Sequence, residues 1–206
     1  MRPRPSRTTE NCGPIGRRLR TWMLVAVAAV SASAAAAGFV ALDLDQRLRA
    51  ADNAAVGVVS GVDVVVRDGD PWTLVTLEVE RWWRAGGERV APGDLAASAL
   101  PRALTVAFWG GRAPGTAPLQ VAGVPTFAAG ERVLWLVRAP DDGLAAPTVG
   151  VTQGVWRMVG GVWTGDDGSR LGVGDDGELA LDGSAVPDEL LFAALEAAFA
   201  ALEEQP

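Results

Sequence analysis

The sequence predicts a mainly β fold: a small OB-like antiparallel barrel with a C-terminal amphipathic helix, preceded by a transmembrane or signal helix. Three observations carry that expectation. Alternating and β-branched segments recur between Gly, Pro and Asp turn signals at short spacing. No sustained helical pattern appears in that region until residue 187, and an uncharged apolar run, residues 22–42, stands apart from it.

The elements follow in chain order. Residues 1–20 form a basic segment with six arginines against Glu10 alone, net +5. The other 12 arginines and 24 acids leave −12 on the remainder of a 206-residue chain of net charge −7. Residues 21–42 carry the apolar run, broken only by Ser31, Ser33 and Gly38, and as a helix it would reach about 30 Å, enough to cross a bilayer. Two readings stand side by side. The run is either a cleaved signal peptide, with residues 31–38 as its small-residue end, or an uncleaved anchor. Both export the rest of the chain to the periplasm or cell surface, or leave it outside an inner membrane crossed once. Residues 43–53 read as a short helix or linker, with Leu44 and Leu48 at helical spacing.

The β domain is expected over 54–183. Residues 54–67 predict one long strand with bends or bulges at Gly57 and Gly61. Asp68-Gly69-Asp70-Pro71 predicts a turn. Thr73, Val75, Leu77 and Val79 alternate with Leu74, Thr76, Glu78 and Glu80, as in a half-buried antiparallel strand. Residues 104–109 predict a third strand, residues 119–121 a short one, and residues 148–159 another with a glycine bend. Residues 133–137 lack alternation, which marks the most buried strand. Over 187–204, Pro187, Asp188 and Glu189 suit a helix start, and Leu191, Leu195, Ala198 and Leu202 share one face beside Phe192 and Phe199.

Composition narrows the chemistry. The chain has no histidine, so Ser-His-Asp, Cys-His and His-ligated metal sites are excluded, and its single cysteine, Cys12, excludes an intrachain disulfide. An exported part at −12 without lysine repels nucleic acid. Asp-Asp-Gly recurs at residues 141, 166 and 175, and the last two copies lie nine residues apart. Asp166, Asp167, Asp175 and Asp176 are therefore candidate calcium ligands, set against a reading as plain hairpin turns. Among eight tryptophans, Trp135 and Trp156 are expected in the core. Trp82 and Trp83 are adjacent, so one should face in and one out, and with Trp109 they form the candidate ligand-binding face.

A set of ordered motifs adds a resemblance. Ala51-Asp52 leads into Val56-Gly57-Val58-Val59, then come Thr76-Leu77-Glu78-Val79-Glu80, Gly86 and Gly110-Gly111. Gly123-Val124-Pro125-Thr126-Phe127, Gly130-Glu131-Arg132-Val133-Leu134 and Gly150-Val151-Thr152-Gln153-Gly154 complete the order. Over residues 51–160 the chain resembles a family of predicted exported bacterial proteins of unknown function. It departs from that pattern at Trp83-Arg84-Ala85-Gly86, where Lys-Gly is usual, and at Val155-Trp156 after Gln-Gly. More remotely it is similar to the OB-type barrels of netrin-like modules and metalloproteinase inhibitors. Those inhibitors chelate zinc through an N-terminal cysteine, which the exported part of this chain lacks.

The resulting expectation is a non-catalytic envelope module that binds a protein, peptide or glycan and touches the membrane through its N-terminal segment if that segment stays uncleaved. No cofactor is expected beyond possible calcium. The alternatives are a histidine-free hydrolase working through two carboxylates and a calcium-dependent structural domain.

Overall fold

The computed structural model describes residues 40–84, 102–138 and 146–203. The chain divides into two compact units, Met1–Phe39 and Val40–Pro206, and all described residues lie in the second. The expected N-terminal helix therefore lies outside the described residues, apart from Val40, Ala41 and Leu42, which are not helical. No helix among the described residues is long and apolar enough to cross a membrane.

A short helix, α1 (Leu44–Arg49), opens the unit. Its start is a capping box: the Asp43 carboxylate accepts from the Gln46 N–H and the Gln46 side chain accepts from the Asp43 N–H. Eight strands follow: β1 (Asn53–Arg67), β2 (Asp70–Arg84), β3 (Ala103–Trp109), β4 (Arg132–Val137), β5 (Val155–Val159), β6 (Val162–Gly165), β7 (Arg170–Val173) and β8 (Leu179–Leu181). Helix α2 (Asp188–Glu203) ends the unit.

All strand pairs are antiparallel, in the order β3-β2-β1-β4-β5-β6-β7-β8. The sheet is not closed: β3 and β8 are its two edges among the described residues. Two smaller expectations are also corrected. Residues 119–121 contribute only a single bridge, Leu119 to Gly111; Thr148 makes one bridge to Val137 and residues 149–154 form turns, so the strand expected over 148–159 begins at Val155.

The long hairpin follows from its sequence. Asp68 and Gly69 both take positive φ, 53° and 91°, which matches the right-handed twist of the strands they join. The register of β1 against β2 shifts between Val56 and Gly57 and again between Val59 and Gly61. At Gly57 the backbones approach so closely that a Cβ would lie 2.1 Å from the Glu78 carbonyl oxygen.

Two cores sit on opposite faces of the central strands. On one face Ala54, Val56, Leu134, Leu136 and Trp156 pack with Trp163, Leu171 and the helices, which supply Leu48, Leu191, Phe192, Leu195 and Phe199. On the other, Ala55, Val133, Trp135 and Val155 pack with Val59, Val75, Leu77, Val106 and Phe108. Strand β4 is buried on both faces over Val133–Val137, as its unbroken apolar run predicts.

Polar side chains lock the first core at its rim. Arg47 is buried, at 4% exposure, with its guanidinium 5.6 Å from the centre of the Trp156 ring. Its Nε donates to the Leu42 carbonyl (2.9 Å), Nη1 to the Gln153 carbonyl (2.8 Å) and Nη2 to Asp167 (2.8 Å). The Gln153 amide in turn donates to the Val40 carbonyl (2.9 Å) and accepts from the Leu42 N–H (2.7 Å). On the edge of the same core, Arg132 bridges Glu80 (2.7 Å) and Asp188 at the start of α2, and Trp163 Nε1 donates to Asp188 (3.1 Å). The Glu80 hydrogen bond, aided by that of Asp188, outweighs partial burial and raises the Arg132 pKa above its ordinary value.

Burial disfavours ionisation of Asp167, but hydrogen bonds from Ser169 and Arg47 outweigh it and hold the carboxyl below its ordinary value. Its stabilising contribution is complete above the unfolded-state pKa, near pH 4. It is lost as pH falls through the lower native value.

Two outcomes follow. Gly57→Ala should cost about 3 kcal/mol in thermal unfolding, whereas at Gly61 a Cβ meets nothing closer than 3.9 Å and Gly61→Ala should stay within about 1 kcal/mol. Asp167→Asn should lower stability at neutral pH, and its deficit against the wild type should narrow as pH falls below the ordinary carboxylate range, as read from denaturation midpoints across pH.

Candidate functional site

The hairpin and β3 extend beyond β4, which pairs with β1 only as far as Val58. In this part of the sheet the alternation of side chains decides what is exposed. Val75, Val106 and Phe108 point into the second core at 0%, 6% and 1% exposure. Their chain neighbours Leu74, Thr76, Ala107 and Trp109 therefore point the other way, as does Trp72, two residues before Leu74. These side chains form cross-strand rows: Thr76 beside Thr105, Leu74 between Asp63 and Ala107, and Trp72 beside Val65. Beyond Thr73–Phe108 the regular register ends, and Trp72 bridges to Gly110, the residue after Trp109.

This outer face belongs to neither core, because Val65, Trp72, Leu74, Ala107 and Trp109 are half-buried without joining either apolar cluster. The Arg67 guanidinium lies 6.0 Å from the centre of the Trp72 ring. The hydroxyls of Thr76 and Thr105 are 3.1 Å apart, and Ser60 Oγ donates to the Thr76 carbonyl at 3.2 Å. Asp63 and Glu78 are exposed on the same strands, and neither forms an ion pair among the described residues. The face thus carries two half-buried indoles at one end, the Leu74–Ala107 row next to them, and the Thr76–Thr105 hydroxyls and Glu78 further along the strands.

The three tryptophans expected to form one binding face are not brought together. Trp82 pairs with Ala55 and packs on the second core, while Trp83 pairs with Ala54 and packs on the first, 5.6 Å from Phe192. Both are half-buried, each packed against a core on its own face of the sheet. Trp109 lies on β3, near Trp72 at the other end of β2, and Trp72 is ten residues from Trp82, about 33 Å along an extended strand. The tryptophan neighbouring Trp109 across the strands is thus Trp72. The signal that finds it is parity: Trp72 is two residues from Leu74, on the polar phase of an alternating strand.

The Asp-Asp-Gly turns lie at opposite ends of β7. Asp167 and Asp175 are separated by that strand, whose four residues span roughly 13 Å. Asp166 pairs with Arg157 and Asp167 with Arg47, while Asp176 accepts from the Glu178 N–H at 3.0 Å. Among the described residues no group of three or more His, Cys, Asp or Glu side chains is placed to hold a metal ion. Just beyond β3, Arg112, Ala113, Pro114, Thr116 and Pro118 line an open depression of about 420 Å³ without a carboxylate. Arg112 is three residues from Trp109, so the two Cα atoms lie within about 11 Å.

Loss of an outward indole should cost far less stability than loss of a core one. Trp72→Ala and Trp109→Ala should each lower stability by about 1 kcal/mol or less, against about 4 kcal/mol for Trp135→Ala, compared by urea denaturation. Comparison of the chain with known protein families, curated proteins and solved structures finds no match.

Proposed function

We propose that the chain is an exported, non-catalytic binding module of the cell envelope whose contact surface is the outer face of β1–β3. The observation that carries this reading is the outward row of Val65, Trp72 and Trp109, apolar surface that neither core uses. Aromatic residues dominate binding energy because they bury a large area at a low cost in side-chain entropy. The contrast between a +5 N-terminal segment, an uncharged run and a −12 remainder supports export. The resemblance to predicted exported proteins points the same way. The neighbour order β3-β2-β1-β4-β5 supports an OB-like ancestry, since it is the order such a barrel has before its closing pair is made.

The test compares the full chain with the double variant Trp72→Ala/Trp109→Ala in co-sedimentation with isolated envelope fractions. The wild type should sediment, and the variant should bind at least about tenfold more weakly with an unchanged melting profile. Equal binding by both proteins, or sedimentation of neither, refutes the reading.

A further inference from the structure

We infer that the ligand of the Trp72–Trp109 face is a glycan without negative charge, either a neutral polysaccharide or an amino-sugar polymer. The inference rests on the binding reading above. A sugar ring presents an apolar face of C–H groups and a rim of hydroxyls. It therefore needs a flat apolar support with hydrogen-bonding groups beside it. The outer face supplies both: Trp72 and Trp109 stand on adjacent strands, whose backbones run about 4.8 Å apart. Thr76 and Thr105 hold hydroxyls that both donate and accept, four residues further along the same face beyond the Leu74–Ala107 row, roughly 13 Å from Trp72 and within reach of a chain of two or three sugar rings.

Asp63 and Glu78 define the charge of the ligand. Elsewhere in the unit Asp45, Glu80, Glu131, Asp166, Asp167 and Asp188 are each held by an arginine. Asp63 and Glu78 are held by none among the described residues, so their carboxylates are free to accept from hydroxyl or ammonium groups. With Asp68 and Asp70 exposed at the hairpin tip as well, four acids stand against Arg67 in these rows and Arg112 just beyond β3, so the face is net acidic and disfavours a polyanion or an anionic lipid surface. An extended peptide laid across this face is a poorer fit, because the face presents side chains and the peptide's backbone groups would go unpaired, whereas a peptide added along the β3 edge would not need the indoles.

The experiment titrates the full chain, in detergent, with cello-oligosaccharide, chitosan oligosaccharide, heparin and an uncharged extended peptide, following tryptophan emission and heat. Binding of the cello- or chitosan oligosaccharide is expected, with a loss of about tenfold or more in Trp109→Ala. Trp109→Phe keeps an aromatic face and should stay within about threefold of the wild type. Asp63→Asn should weaken the chitosan oligosaccharide more than the cello-oligosaccharide. Preference for heparin or for the peptide overturns the inference. So does the absence of glycan binding by a chain that still sediments with envelope through Trp72 and Trp109, an outcome that leaves the binding reading intact. Failure of both glycan binding and sedimentation overturns both.

Discussion

The buried Arg47 guanidinium is the constraint on which the rest of the first core depends. A cation removed from water is tolerable only when its donors are satisfied, and here three donors meet the Leu42 carbonyl, the Gln153 carbonyl and Asp167. Those three partners come from the start of the unit, the turn before β5 and the turn between β6 and β7. One side chain therefore fixes three segments that no β-ladder joins. Gln153 repeats the device on a smaller scale, pairing with both Val40 and Leu42 through one amide. With α1 held in this way, Leu48 and Ala51 reach the core against Leu191 and Phe192.

The same chemistry recurs at two other points. Arg132 lies over Trp163 while bridging Glu80 and Asp188, and Arg157 lies over Phe127 while contacting Glu131 and Asp166. Each guanidinium uses its plane for the ring and its edge for the acids. The chain contains no lysine, and an ammonium could not serve both purposes at once. The −12 of this part of the chain is thus not evenly spread in its effect. Acids held by arginine act as fasteners, and those left over set the charge of the outer surface.

Local signals in the sequence identify most of the elements. The glycine bulges in β1, the Asp68-Gly69 turn, the alternation across residues 73–79, the unbroken run of β4 and the apolar stripe of α2 all rest on contacts between near neighbours or on a strict period. The clasp of Arg47 and Gln153 was not legible, because its partners lie more than a hundred residues apart and a lone polar residue has no period. Among the described residues the expected barrel is not closed, since closure depends on which edges meet, and hydrophobic pattern is silent on that. Trp82 and Trp83 illustrate a subtler limit. Alternation places them on opposite faces correctly, but cannot show that each is packed against a core there, Trp83 beside Phe192 of α2 and Trp82 on the second core.

The clasp also bears on the order in which the unit can be completed. Arg47 is separated from Gln153 by 106 residues and from Asp167 by 120. At a synthesis rate of about 5–20 residues per second, the partners of α1 emerge roughly 5–25 seconds after it. During that interval Arg47 and the apolar side of α1 have no native site, and long-range closure of this kind is slow. The first-made element of the unit is therefore among the last to be seated.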